Sequence, residues 1–388
     1  MILPRFLLFA FFLYSAASPV PRRVFSYPTG KSPKCIAIGD LNHDGRPDIV
    51  VGNEDGTVTV LLNDGNDSFH PAPGSPFQAG HLPNDIVIAD MNRDGNPDLV
   101  IVNTQSPYLT ILLGDGKGAF HPASGSPVNV HSNPHPHGIA VADFNGDGIP
   151  DVVTDSWADN QIELLLGDGS GSLRTPGKFF AVGRRPYERL RSADFNHDGN
   201  PDVVTTNLDD DTVSILLGDG KGGLHPAAGS PFPAGAKPWQ VTIDDINHDG
   251  NPDLIVIPYD RDVANDAQIA VTVLLGDGKG GFRPMPTSPL HLTGCRGAAS
   301  VAAGDLEGNG LHDIAVLCAS SRNLLTFENQ DRGQFAETSQ AAPSGWGSVV
   351  IADLIGKGKN DLITADNEAG SITIYRIPQA ITPLKRTH

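Results

Sequence analysis

The sequence predicts an all-β fold, a seven-bladed β-propeller with four antiparallel strands per blade. Three observations predict it. A nine-residue acidic segment returns seven times along 388 residues, with first residues 48 to 60 positions apart. Short apolar runs flank each copy. The last repeat stops one strand short, while an unpaired strand-like segment precedes the first repeat.

Taken in order, the chain opens on one positive charge within Met1 to Arg5, an apolar run from Phe6 to Tyr14, and the small residues Ser15, Ala16, Ala17 and Ser18. That is the pattern of a secretory signal peptide over 1–17. The run is well short of the ~20 residues that a membrane-spanning helix needs. A secreted, extracellular protein with no membrane span is expected.

Each blade then reads as an apolar inner strand such as Ile36 to Ile38, the acidic loop, and a second apolar strand such as Ile49 to Val51. A third strand, such as Thr110 to Leu113, ends in a Gly-Asp-Gly turn, here Gly114 to Gly116. The fourth segment begins with Phe or Leu (Phe69, Phe120, Leu173, Leu224, Phe282, Phe335) and is mostly proline-rich. Proline cannot donate to a ladder, so these are expected to be outer edge strands. The last repeat has only three strands, at Val349 to Ile351, Leu362 to Thr364 and Ile372 to Tyr375. The segment Phe25 to Gly30 has the form of its missing outer strand. It is expected to complete the seventh blade and close the ring, giving a propeller over 24–377 and a short basic tail over 378–388.

Lys and Arg number 27 against 45 Asp and Glu, a formal charge of −18. Sequence-independent nucleic-acid binding needs a basic face, so that class is excluded. The three cysteines, Cys35, Cys295 and Cys318, form no disulfide framework. Cys295 and Cys318 fall in one repeat and are able to pair, but burial as small hydrophobes is the preferred reading.

The acid is concentrated in the repeats, which hold 20 of the 45 acidic residues. The first loop runs Asp40, Leu41, Asn42, His43, Asp44, Gly45, Arg46, Pro47, Asp48. Its side-chain oxygens stand at positions 1, 3, 5 and 9, and Gly at 6 permits the tight turn. The same set recurs as Asp90, Asn92, Asp94, Asp98, then Asp143, Asn145, Asp147, Asp151, then Asp194, Asn196, Asp198, Asp202, and then Asp245, Asn247, Asp249, Asp253. The sixth loop drifts to Asp305, Glu307, Asn309 and Asp313, still all oxygen donors. Hard oxygen ligands without His or Cys select calcium over zinc. Position 12 holds no carboxylate in the first five loops (Val51, Ile101, Thr154, Thr205, Val256), and the flanks are strands, so these are not EF-hands. About six calcium ions are expected. None is expected in the seventh loop, where Ile355 and Lys357 replace two donors.

These segments resemble the FG-GAP/VCBS repeats of integrin α-subunit-like seven-bladed propellers, over nearly the whole chain after the leader. The resemblance implies that the acidic loop joins the first two strands of a blade and binds calcium. It fixes no ligand, because the family includes adhesion modules, lectins and propellers attached to enzymes.

Antiparallel alternation puts the acidic loops and Gly-Asp-Gly turns on one rim. The opposite rim is expected to collect Tyr108, His137, Trp157, Tyr187, Trp239, Tyr259 and Trp346, including all three tryptophans. Aromatics in that position are either a contact surface or a plug for the central channel. The histidines His131, His135 and His137 read as a solvated cluster rather than a soft-metal site. The leading expectation is a monomeric binding or adhesion module for a glycan or extracellular protein on this rim. The alternatives are a carbohydrate-active lyase or dehydratase with an axial site near His137, Tyr187, Glu188 and Arg189, and a structural surface scaffold. No nucleophile-elbow, zinc-protease or paired-carboxylate signature supports catalysis.

Overall fold

The computed structural model describes residues 23–65, 68–259, 269–331, 333–342 and 345–376. The expected leader, the tail over 378–388 and residues 260–268 of the fifth repeat lie outside these residues. All regular structure described is β, arranged as seven small antiparallel sheets, each a blade of the predicted propeller.

Blade one shows the plan. Its strands are Pro33–Gly39, Asp48–Asn53, Thr57–Gly65 and Ser68–Pro71, hydrogen-bonded in that order from the axis outward. In the second strand Ile49, Val50 and Val51 are all fully buried. Val50 packs towards blade two, against Leu99 and Ile101, while Ile49 and Val51 pack towards blade seven, against Ile363 and Ile372. Both faces of the strand are covered, which is why the run is continuously apolar instead of alternating.

The ring closes as predicted. Arg23–Pro28 pairs antiparallel with Ser371–Arg376, with Phe25 opposite Ile374, and supplies the outer strand of the blade built from Val349–Ala352 and Asp361–Asp366. The Arg376 guanidinium lies over the Phe25 ring at 5.6 Å.

Two features depart from the sequence reading. In four blades the outer strand is split into two short pieces that both pair with the third strand, as Ser68–Pro71 and Phe77–Gln78 do in blade one. A serine before a cis proline bridges the gap. The Val60 N–H donates to Ser75 Oγ (2.9 Å), and Ile111, Ile215 and Val273 donate likewise to Ser126, Ser230 and Ser288. Second, Cys295 and Cys318 are not separate buried thiols. They form a disulfide, with Cα atoms 5.3 Å apart, between the entry to blade six and the end of its second strand; Cys35 is the free, buried cysteine.

Candidate binding rim and acidic loops

The acidic loops divide their donors between two jobs. At positions 1 and 3 the oxygens gather around the backbone amide of position 5, whose own carboxylate accepts from the N–H two residues on. The Asp44 N–H lies 3.1 Å from both Asp40 Oδ1 and Asn42 Oδ1, and the Gly45 N–H donates to Asp40 Oδ2 at 2.8 Å. The arrangement repeats around Asp94, Asp147, Asp198 and Asp249. In loop six, Asn309 keeps the contact to Asp305.

Position 9 is different. Asp48 is fully buried, and its two oxygens accept the backbone N–H groups of Leu41 (2.9 Å) and Asn63 (2.8 Å). It thereby ties the loop to the end of the third strand. Asp98, Asp151, Asp202, Asp253 and Asp313 make the same pair of bonds. This clip accounts for the Gly of the Gly-Asp-Gly turn. Gly114 gives its N–H to Asp98, and a Cβ there would meet Pro97 O at 2.1 Å. Blades one and six place Asn at this point, and its amide donates to the crowding carbonyl: Asn63 Nδ2 to Pro47 O, and Asn329 Nδ2 to His312 O.

Burial pushes the position 9 carboxyls up, to about 6 in Asp48, Asp151, Asp202 and Asp313 and about 7 in Asp253. The two backbone N–H bonds oppose this, and the other acids of each loop add to it. Among the described residues no three His, Cys, Asp or Glu side chains converge as a ready-made metal cage. The oxygens that do converge are those of a carboxylate and an amide, Asp40 and Asn42 in loop one, with the Asp44 carboxylate beside them on the Asn42 amide nitrogen. Each position 9 carboxylate oxygen keeps a second lone pair. That donor chemistry fits a calcium ion and no softer metal.

On the opposite rim the structure brings six of the seven named aromatics into one chain of ring contacts. His137 meets Tyr187 at 4.1 Å between centroids and Trp157 at 6.0 Å; Tyr187 meets Trp239 at 5.1 Å. Trp239 stacks on Tyr259 at 4.5 Å and touches Trp346 edge-on at 6.3 Å. The Arg185 guanidinium covers Trp157 and Tyr187 at 5.1 and 5.5 Å. Tyr108, at the start of a third strand in blade two, makes no ring contact with this group. Trp239 and His137 are buried, whereas Trp157, Tyr187, Tyr259 and Trp346 are half-buried. The group is therefore a plug at its centre and a surface at its edge.

The histidines are not one solvated cluster: His131 is exposed and His135 half-buried, but His137 is withdrawn from solvent. His137 is buried, with Nδ1 3.3 Å from Asp155 Oδ2, and His131 Nδ1 lies 3.3 Å from Glu163. Sequence reasoning also missed what carries Tyr187 into this group. The inner strand of blade four, Pro186–Ala193, pairs Pro186 with Asn207 and Leu190 with Thr205, so it bulges by two residues where comparable strands bulge by one. Tyr187, Glu188 (φ 65°) and Arg189 occupy the bulge. The available signal was length, since Pro186 to Asp194 is one residue longer than Pro83 to Asp90.

Three stretches, 40–101, 90–154 and 194–256, match the FG-GAP-like repeat family. Each stretch spans acidic loops and strands of adjacent blades in the seven-bladed ring. The chain is a seven-bladed β-propeller that carries FG-GAP-like repeats. No curated protein matches it in sequence. Solved propellers of similar fold include BBS1N in complex with ARL6DN (TM-score 0.61, 14% identity, 92% of this chain and 96% of that one). An Agrocybe aegerita lectin specific for non-reducing terminal N-acetylglucosamine has TM-score 0.52 and 16% identity, over 90% and 96% of the two chains. A catalytically inactive virginiamycin B lyase from Staphylococcus aureus with quinupristin has TM-score 0.56 and 10% identity, over 92% and 100%. At these identities the likeness is one of fold.

Proposed function

We propose that this propeller is an exported, calcium-stabilised binding module that holds a glycan or extracellular protein on its aromatic rim. One observation carries the reading. Four half-buried rings, Trp157, Tyr187, Tyr259 and Trp346, stand contiguous around a buried Trp239, with the Arg185 guanidinium over two of them. Rings of that kind offer apolar area and a polar edge at low entropic cost, which suits both sugar faces and protein hot spots. The similar-fold lectin and the similar-fold BBS1N bind a sugar and a protein respectively, which makes both ligand classes reasonable for this architecture.

In the calcium reading, Asp40, Asn42, Asp44 and Asp48, with their equivalents through Asp313, hold the ions. Bound calcium would neutralise clustered carboxylates and fix each inner hairpin. Export is supported by the disulfide, because such bonds persist in oxidising compartments.

The test is a glycan array and an extracellular-protein pull-down, with tryptophan fluorescence as the readout of binding. Trp346→Ala is expected to weaken binding at least tenfold without lowering the melting temperature. Trp239→Ala is the poorer probe, since a buried indole costs about 3–5 kcal/mol of stability when truncated. A folded Trp346→Ala protein that binds its ligand as tightly as the parent would defeat the proposal.

A further inference from the structure

The centre of the ring holds a second feature, on the far side of the aromatic plug. Asp85 of blade two reaches across the axis to both arginines of the blade four inner strand. It pairs with Arg189 Nη1, and its Oδ2 accepts from Arg191 Nη1 at 2.8 Å. Arg189 Nη2 donates to Ser348 Oγ at 3.1 Å, and that hydroxyl donates to Lys34 O at 2.9 Å. These bonds tie blades one, two, four and seven across the channel and close it at this level.

Beyond this layer lies a cavity of about 180 Å³, lined by Arg189, Arg191, Gln240, Thr242, Ser300 and Ser348 together with apolar inner-strand residues. No carboxylate lines it; Asp85 and the buried Glu188 both lie outside the lining. Arg191 uses only Nη1, on Asp85, Leu190 O and Ile139 O. Its Nη2 and Nε have no bonded partner among the described residues. Ser300 is 97% buried in this wall, and its hydroxyl also has no partner there. The cavity opens towards the acidic-loop rim. Inner strands are buried at their aromatic ends and half-buried over their last residues, and the Arg191 side chain is 31% exposed against 9% for Arg189.

We infer that this axial cavity is a binding site for one compact oxyanion, a carboxylate or sulfate group, held by Arg191 with help from Ser300. Three facts carry it. A guanidinium with a free donor edge matches a planar or tetrahedral oxyanion in geometry. The lining itself holds donors and no carboxylate, and Asp85, outside it, takes up only Nη1 of Arg191. The volume, about six waters' worth, accommodates a single such group and not a chain of sugars. The site is independent of the aromatic rim and lies at the opposite mouth.

The experiment is isothermal titration of the full, calcium-loaded chain at constant chloride. The probes are sodium sulfate and methyl glucuronide, with neutral methyl glucoside as control. One-to-one binding of at least one anion and none of the glucoside is expected. Tighter binding of the glucuronide identifies a sugar acid as the source, and binding of sulfate alone identifies a free inorganic oxyanion. Arg191→Met is expected to weaken binding at least tenfold at an unchanged melting temperature. Arg184→Met, which removes an exposed guanidinium on the other rim, is expected to leave it unchanged. If Arg191→Met does not fold, Ser300→Ala is expected to weaken binding about threefold. No heat with either anion, equal heat with the glucoside, or full affinity in the folded Arg191 or Ser300 variant would overturn the inference.

Discussion

Loops one to six and loop seven solve the same electrostatic problem in different ways. In the first six, a buried position 9 aspartate is held by two backbone N–H groups beneath a cluster of exposed oxygens. In loop seven the cluster has gone, with Ile355 and Lys357 at positions 3 and 5, and Asp361 is held by a guanidinium. Arg376 Nε and Nη2 lie 2.8 and 2.6 Å from its two oxygens, and both side chains are buried. The Leu354 N–H, whose counterparts serve the clip elsewhere, turns instead to Ala352 O at 3.1 Å. A cation is thus built into the last strand of the one blade whose loop lacks the oxygens to recruit one. The difference shows what the repeated Asp needs: some positive partner, which backbone dipoles, a side chain or a metal ion can supply.

Metal removal tests this contrast most severely. If six loops bind calcium and the seventh does not, chelation should lower the melting temperature by a wide margin. Each site contributes about 2.7 kcal/mol at a hundredfold excess over its dissociation constant. A melt that is indifferent to excess chelator removes calcium from the account. Next in size is Arg376→Met, which leaves Asp361 buried without its cation. Breaking a buried pair from one side costs about 3–5 kcal/mol, and in urea denaturation that loss should persist at any calcium concentration. Asp94→Ala should cost one ion per chain by elemental analysis and about one site's worth of stability, while loops elsewhere titrate as before. Smallest is Lys357→Ala. Calcium stoichiometry should stay unchanged and stability should move within about 0.5 kcal/mol, as for an ordinary surface substitution. A gained ion there would mean that Lys357 alone had been keeping calcium out.

The same contrast marks what sequence could and could not reveal. The repeat, the strand order and the closure by Phe25 to Gly30 were legible because each is a periodic or pattern-matched feature of the chain. The recurrence of oxygen-bearing side chains at positions 1, 3 and 5 was legible for the same reason. The clip made by Asp48 and its equivalents was not. Spacing places an oxygen at position 9 but does not say that Leu41 and Asn63 will present N–H groups to it from two strands. The Cys295–Cys318 bond depends on a 5.3 Å Cα approach across a hairpin, which residue counts cannot measure. Arg189 was placed near the axis, yet its partner Asp85 lies 104 residues away, and only ring closure brings them together.

The pairing of Arg23–Pro28 with Ser371–Arg376 has a consequence for biosynthesis. The first described strand must wait, unpartnered, while every other blade emerges from the ribosome. A chain released before Ser371 would lack both the edge that Phe25 zips onto and the guanidinium that Asp361 requires, so such products would carry an open ring with two raw apolar flanks. Quality control could therefore read completion of the ring from the state of a single sheet.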